Sequence, residues 1–129
     1  MSTELGRLLI IDDEKDFAGF LATVAREIGY AVRTVQRSPD FEFQLTDWTP
    51  SAVFLDIFMP ERDGLELLGT LERHRYGGHV VLMSGADALY LNMAAASAKV
   101  RGLHLAGILP KPCRKQQVVD LLKTLTASP

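Results

Sequence analysis

The stretch Leu-Leu-Ile-Ile-Asp-Asp-Glu-Lys-Asp-Phe, residues 8–17, decides the fold. Its four apolar residues stop dead at Asp12 and Asp13, so it reads as a short strand closed by acids rather than as a helix. Directly behind it, Phe17, Phe20, Leu21, Val24 and Ile28 recur at helical spacing and make one apolar face, with Gly29 placed to end the helix. The same alternation continues outward. Ala31–Val35, Ala52–Leu55 and Val80–Met83 read as further strands, and Ala106–Leu109 as a fifth, weakened by Gly107. Ser38 is placed to cap a second helix with Pro39 in its first position, and Thr49-Pro50 breaks the chain before the third strand. Gly64 precedes a third helix built on Leu65, Leu68 and Leu71, with Gly77-Gly78 ending that segment. A fourth, alanine-rich helix is expected from Ala86 to about Arg101, and a last one carries Val118, Leu121, Leu122 and Leu125. Strand and helix thus alternate five times, which demands crossovers and therefore a parallel sheet with helices on both faces.

Composition sets the outer limits. The chain has 129 residues, 47% of them hydrophobic and 23% charged, which suits one globular domain filling 1–129 with an ordered core from about 7 to 125. Lys and Arg number 14 against 16 Asp and Glu, a net charge of −2 with no basic stripe, so direct nucleic-acid binding is not expected. No apolar run approaches the roughly 20 residues of a membrane helix, and the acids after Ile11 also exclude a signal peptide. One cysteine cannot form an internal disulfide, which fits a reducing, cytoplasmic setting.

In open α/β sheets, ligands gather beyond the carboxyl ends of the strands. There the sequence places Asp12 and Asp13, Asp56, Ser84, and Lys111 followed by Pro112. Asp residues after strands often serve as turn-formers or caps, but polar groups at all these strand ends exceed what capping needs. Three carboxylates together raise one another's pKa unless a cation sits among them, and all-oxygen ligands favour a hard ion such as Mg²⁺. With a fixed ammonium and a hydroxyl added, the set suits a transferring phosphoryl group, for which a carboxylate can be the nucleophile.

Four segments carry a family resemblance: LLIIDDEKDF (8–17), VFLDIFMPERDG (53–64), VVLMSGAD (80–87) and ILPKP (108–112). In this order and at this spacing the chain resembles the receiver domain of two-component response regulators over almost its whole length. The resemblance implies a flavodoxin-like (βα)5 three-layer sandwich whose five-stranded parallel sheet has the order 2-1-3-4-5. It also implies that Asp56 is the phosphoacceptor, that Asp12, Asp13, Asp56 and the backbone carbonyl of Phe58 hold Mg²⁺, and that Ser84 and Lys111 engage the phosphoryl group. Met59-Pro60 and Asp63-Gly64 match the loop shaping the site, and Lys111-Pro112 matches a peptide that is usually cis. Expected partners are a histidine kinase or histidine phosphotransfer protein, an output domain or downstream protein, and a second copy in a homodimer, with the signal leaving through the fourth helix, fifth strand and fifth helix.

Two departures stand out. Ile108 occupies the position where the family usually carries a switching aromatic, and is read as a core residue whose truncation costs roughly 2–5 kcal/mol. Phe58 and Ala86 stand two residues after the phosphoacceptor and the hydroxyl residue, and neither side chain can hold a hydrolytic water, so slow loss of the phosphoryl group is expected. Cys113 is read as a small buried filler and Trp48 as a packing or interface residue. Met83 and Met93 are read as core or helix-face filler, and His74, His79 and His104 as too dispersed for a metal site. A phosphohydrolase using an aspartyl-phosphate intermediate is the alternative, but its second acid would fall at Phe58. A nucleotide switch lacks the phosphate loop after the first strand, and Asp12-Asp13-Glu14 would repel a flavin phosphate.

Overall fold

A computed structural model of the chain describes residues 5–59, 62–85 and 88–127. Five parallel strands, β1 (Arg7–Ile11), β2 (Ala31–Val35), β3 (Ala52–Asp56), β4 (His79–Ser84) and β5 (His104–Pro110), form one sheet in the order β2-β1-β3-β4-β5. Five helices alternate with them: α1 (Lys15–Ile28), α2 (Ser38–Asp47), α3 (Gly64–Arg73), α4 (Ala88–Val100) and α5 (Lys115–Ala127). A two-residue antiparallel ladder pairs Phe58–Met59 with Arg62–Asp63 just beyond β3. This is the flavodoxin-like architecture with strand order 2-1-3-4-5.

The strands sort their side chains by the two-residue period of extended chain. Leu8, Ile10, Ala52 and Phe54 join Leu21, Val24, Val118 and Leu122 in a core between the sheet and α1 with α5. Leu9, Ile11, Val53 and Leu55 join Phe41, Leu45, Leu68 and Leu71 in a second core on the opposite face, beneath α2, α3 and α4. All of β3 is buried, which explains why its apolar residues run without polar interruption.

Helix ends show where local rules yield to tertiary ones. Gly29 closes α1 as expected: at φ 126° its N–H reaches the carbonyls of Ala25 and Arg26, a conformation costly for a residue with a Cβ. The cap of α2 is Arg37, with Ser38 already inside the helix and Pro39 one position further in than expected. The Ser38 hydroxyl is buried and hydrogen-bonds nothing among the described residues, so it does not cap. α3 stops at Arg73, ahead of the Gly77-Gly78 pair. Arg75 takes the left-handed conformation, φ 53°, while the Tyr76 N–H returns to the Leu71 carbonyl. α4 begins at Ala88; the expected start at Ala86 lies outside the described residues.

β5 is longer than its apolar run. It starts at His104 and bulges at Ala106, because Val80 pairs with Leu105 while Val81 pairs with Gly107. Gly107 leaves room for the Leu121 side chain, since a Cβ would stand 2.7 Å from Leu121 Cδ1 and that side chain would have to move aside. Ile108 corrects an expectation: it is 42% exposed rather than buried. β5 is an edge strand, and Ile108 lies on the face opposite Leu109, which is the residue that enters the core.

Candidate functional site

Strand register alone brings the strand-end residues together. Ile11 pairs with Leu55, so Asp12 and Asp56 fall side by side one residue further on. Asp56 pairs with Met83, which sets Ser84 next to it, and Ser84 pairs with Pro110, one residue before Lys111. The Lys111 N–H donates to the Ser84 carbonyl at 2.9 Å, and the Lys111–Pro112 peptide is cis. Four distant segments therefore meet at one edge of the sheet.

The acids there are unequal. Asp12 is fully buried, Asp56 is nearly so, and Asp13 is exposed, yet one oxygen of each lies within 4.8 Å of the others. Asp12 Oδ1 accepts from the Glu14 N–H at 2.8 Å, fixing the turn into α1, and from Lys111 Nζ at 3.2 Å. Asp12 Oδ2 is buried 2.9 Å from Lys111 Nζ but receives no aligned hydrogen bond. Burial, opposed by the Glu14 and Lys111 hydrogen bonds and reinforced by the charge of Asp56, pushes the Asp12 carboxyl up to about 6.

Lys111 is the counter-charge. Its Nζ stands 2.8 Å from Glu14 Oε1, 2.9 Å from Asp12 Oδ2 and 3.0 Å from Asp56 Oδ2, with the Phe17 ring centroid 5.1 Å away. Burial by itself disfavours the ammonium, but hydrogen bonds to Glu14, Asp12 and Asp56 outweigh it and hold the pKa above the ordinary lysine range. Glu14 is a partner that sequence reasoning missed. Its only sequence signal was adjacency to the acid pair, because pairing with a residue 97 positions away depends on the sheet.

A buried, partly unsatisfied carboxylate oxygen beside two more carboxylates fits a hard divalent cation. The backbone of Phe58 lies in the short ladder directly beyond β3. Ala86, the expected second water-holding position, lies outside the described residues, as does Pro60.

The remaining residues gather elsewhere. His79 and His104 are register partners at the opposite, amino-terminal edge of the sheet, with nearly parallel rings 6.0 Å apart, so these two are adjacent rather than dispersed. His74 instead meets Glu42, at 2.8 Å. Trp48 is half-buried under the Arg33 guanidinium, 4.6 Å from its ring. Cys113 is half-buried against the α1/α5 core, where burial raises its thiol pKa, and Met83 is in that core while Met93 is exposed on α4. No described helix is long and apolar enough to cross a membrane.

Comparison with known proteins agrees with this geometry. The family model for the response regulator receiver domain matches residues 8–123. The nitrogen assimilation regulatory protein NtrX of Azorhizobium caulinodans is 33% identical over 90 residues, covering 68% of this chain and 20% of that protein. The transcriptional regulatory protein GltR of Pseudomonas aeruginosa is 31% identical over 128 residues, covering 97% of this chain and 50% of that one. The chain therefore spans half or less of the length of these two relatives. A crystal structure of a response regulator from Colwellia psychrerythraea superposes with a TM-score of 0.84 at 27% identity, covering 96% of this chain and 98% of that one. Strand order, the acid cluster with its lysine, and the family match lead to one conclusion: this chain belongs to the response regulator receiver domains.

Proposed function

We propose that this domain is a signalling phosphoacceptor that takes a phosphoryl group onto Asp56 from a histidine kinase or histidine phosphotransfer protein. The observation that carries the reading is the junction of buried Asp56 with the Lys111 ammonium at 3.0 Å, inside a three-carboxylate cluster. Asp12, Asp13 and Asp56, with the Phe58 carbonyl, would hold Mg²⁺, which when bound supplies charge neutralisation for the phosphoryl oxygens.

The chain's own groups supply the rest. A carboxylate oxygen of Asp56 attacks phosphorus, and the P–N bond to the donor imidazole breaks with its electron pair leaving on nitrogen. Lys111 pairs with a phosphoryl oxygen, and the Ser84 hydroxyl, at the end of β4, donates to another. Burial of Asp56 limits competing water.

The phosphorylated site then acts on the face formed by α4, β5 and α5, where Leu89, Met93 and Ile108 are exposed apolar side chains available to an output domain, a downstream protein or a second copy. That the relatives NtrX and GltR are named as regulatory proteins supports an output of this kind. The domain acts in the cytoplasm and turns over no metabolite.

The test is mass analysis after incubation with acetyl phosphate and Mg²⁺. One phosphoryl group should be added to the wild type and none to Asp56→Asn. Full labelling of that variant, or of wild type in excess EDTA, would overturn the assignment.

A further inference from the structure

Lys111 has three N–H bonds and three carboxylates around it: Asp12, Asp56 and Glu14. Its side chain is 8% exposed, and the Phe17 ring lies beneath the ammonium. A phosphoryl oxygen can gain this ammonium only if a present partner yields it.

The three partners differ in what release would cost. Asp12 and Asp56 are buried, and in the phosphorylated site Mg²⁺ would take up their charge while an Asp56 oxygen carries the phosphoryl group, so neither is left to compete for the ammonium. Glu14 is 64% exposed, so its carboxylate can turn into solvent. Glu14 also stands at the cap position of α1, where a carboxylate commonly accepts a hydrogen bond from the first helix turn. Here its side chain makes no capping bond, and Oε1 lies 2.8 Å from Lys111 instead.

We propose that Glu14 is a positioning residue that latches Lys111 in the unphosphorylated domain, competes with the incoming phosphoryl group for the ammonium, and thereby biases the site toward its resting state. The proposal rests on Asp56 and Lys111 acting as set out above. Displacing an ion pair whose carboxylate is largely in water shifts an equilibrium modestly, by about 1.5- to 5-fold.

The experiment measures equilibrium binding of trifluoroberyllate, a stand-in for the aspartyl phosphoryl group, by calorimetry at fixed Mg²⁺. Glu14→Gln removes the charge and nearly keeps the shape. Glu14→Asp keeps the charge on a side chain one methylene shorter, which draws it back from Nζ. Asp16→Asn removes a charge from an exposed carboxylate in the first turn of α1 that is not one of the three on Lys111. The latch predicts about 1.5- to 5-fold tighter binding for both Glu14 variants and no change for Asp16→Asn. Equal affinity of Glu14→Gln and wild type, or weaker binding, overturns it. A shift shared by Glu14→Gln and Asp16→Asn but absent in Glu14→Asp also overturns it, because local charge would then be the cause. If wild type itself binds no trifluoroberyllate, or Asp56→Asn binds it as well as wild type, the phosphoacceptor reading falls and the latch with it.

Discussion

Replacing Asp12 with asparagine separates the cost of the buried charge from the benefit of its ion pair. The amide keeps the oxygen that accepts from the Glu14 N–H and removes the charge that Asp56 and burial both oppose. Lys111 keeps Asp56 and Glu14 as partners. In metal-free protein the Asp12 carboxyl titrates at about 6, against an ordinary value of 3.8, so the folded state holds this proton more tightly than the unfolded chain. The associated stability is fully present below 3.8, falls as pH rises through about 6, and is absent above it. That interval corresponds to at most roughly 3 kcal/mol. In urea melts with EDTA, Asp12→Asn should therefore be more stable than wild type at pH 7.5, by about 1–3 kcal/mol, and should lose that advantage as the pH falls to 4. Added Mg²⁺ should reverse the order if Asp12 is a ligand as proposed, since an ion at 100 times its dissociation constant stabilises wild type by about 2.7 kcal/mol and the variant would lack one of the proposed ligands. A variant less stable than wild type at pH 7.5 in EDTA would refute the reasoning, because the Asp12–Lys111 pair would then outweigh desolvation.

Further outcomes follow from the same geometry. Asp13→Ala should lose Mg²⁺ affinity while leaving the metal-free domain no less stable, because Asp13 is exposed and its removal relieves repulsion; a lower melting temperature in EDTA would instead assign it a structural role. Ile108→Ala should cost less than about 1 kcal/mol in a denaturant melt, since Ile108 is 42% exposed, and a loss of the size seen for buried residues would contradict that placement. Phe58→Asn should shorten the lifetime of the phosphorylated domain several-fold by supplying a side chain that can hold water; unchanged decay in the same Mg²⁺ buffer would show that this position is not limiting.

The sequence by itself determined the order of elements and the chemistry at the strand ends. Apolar runs that end in Asp12, Asp56 and Ser84 carry their own meaning, because strand period, helical period and the helix-ending Gly29 are local properties of the chain. Parallel strands joined by helices then require their carboxyl ends to share one edge, so Asp12, Asp56, Ser84 and Lys111 were legible as a set before any coordinates. Local rules failed where the environment competes with them. The Ser38 hydroxyl turned inward rather than capping, α3 stopped at Arg73 with Arg75 rather than a glycine in the left-handed conformation, and Ile108 reached solvent on the face of edge strand β5 opposite Leu109. Only the tertiary structure decided how the charges divide: that Asp12 is buried and hard to ionise, that Asp13 stays in water, and that Glu14 reaches Lys111. Burial and pairing are properties of the assembled sheet edge, set by segments up to 99 residues apart, and no window of sequence contains them.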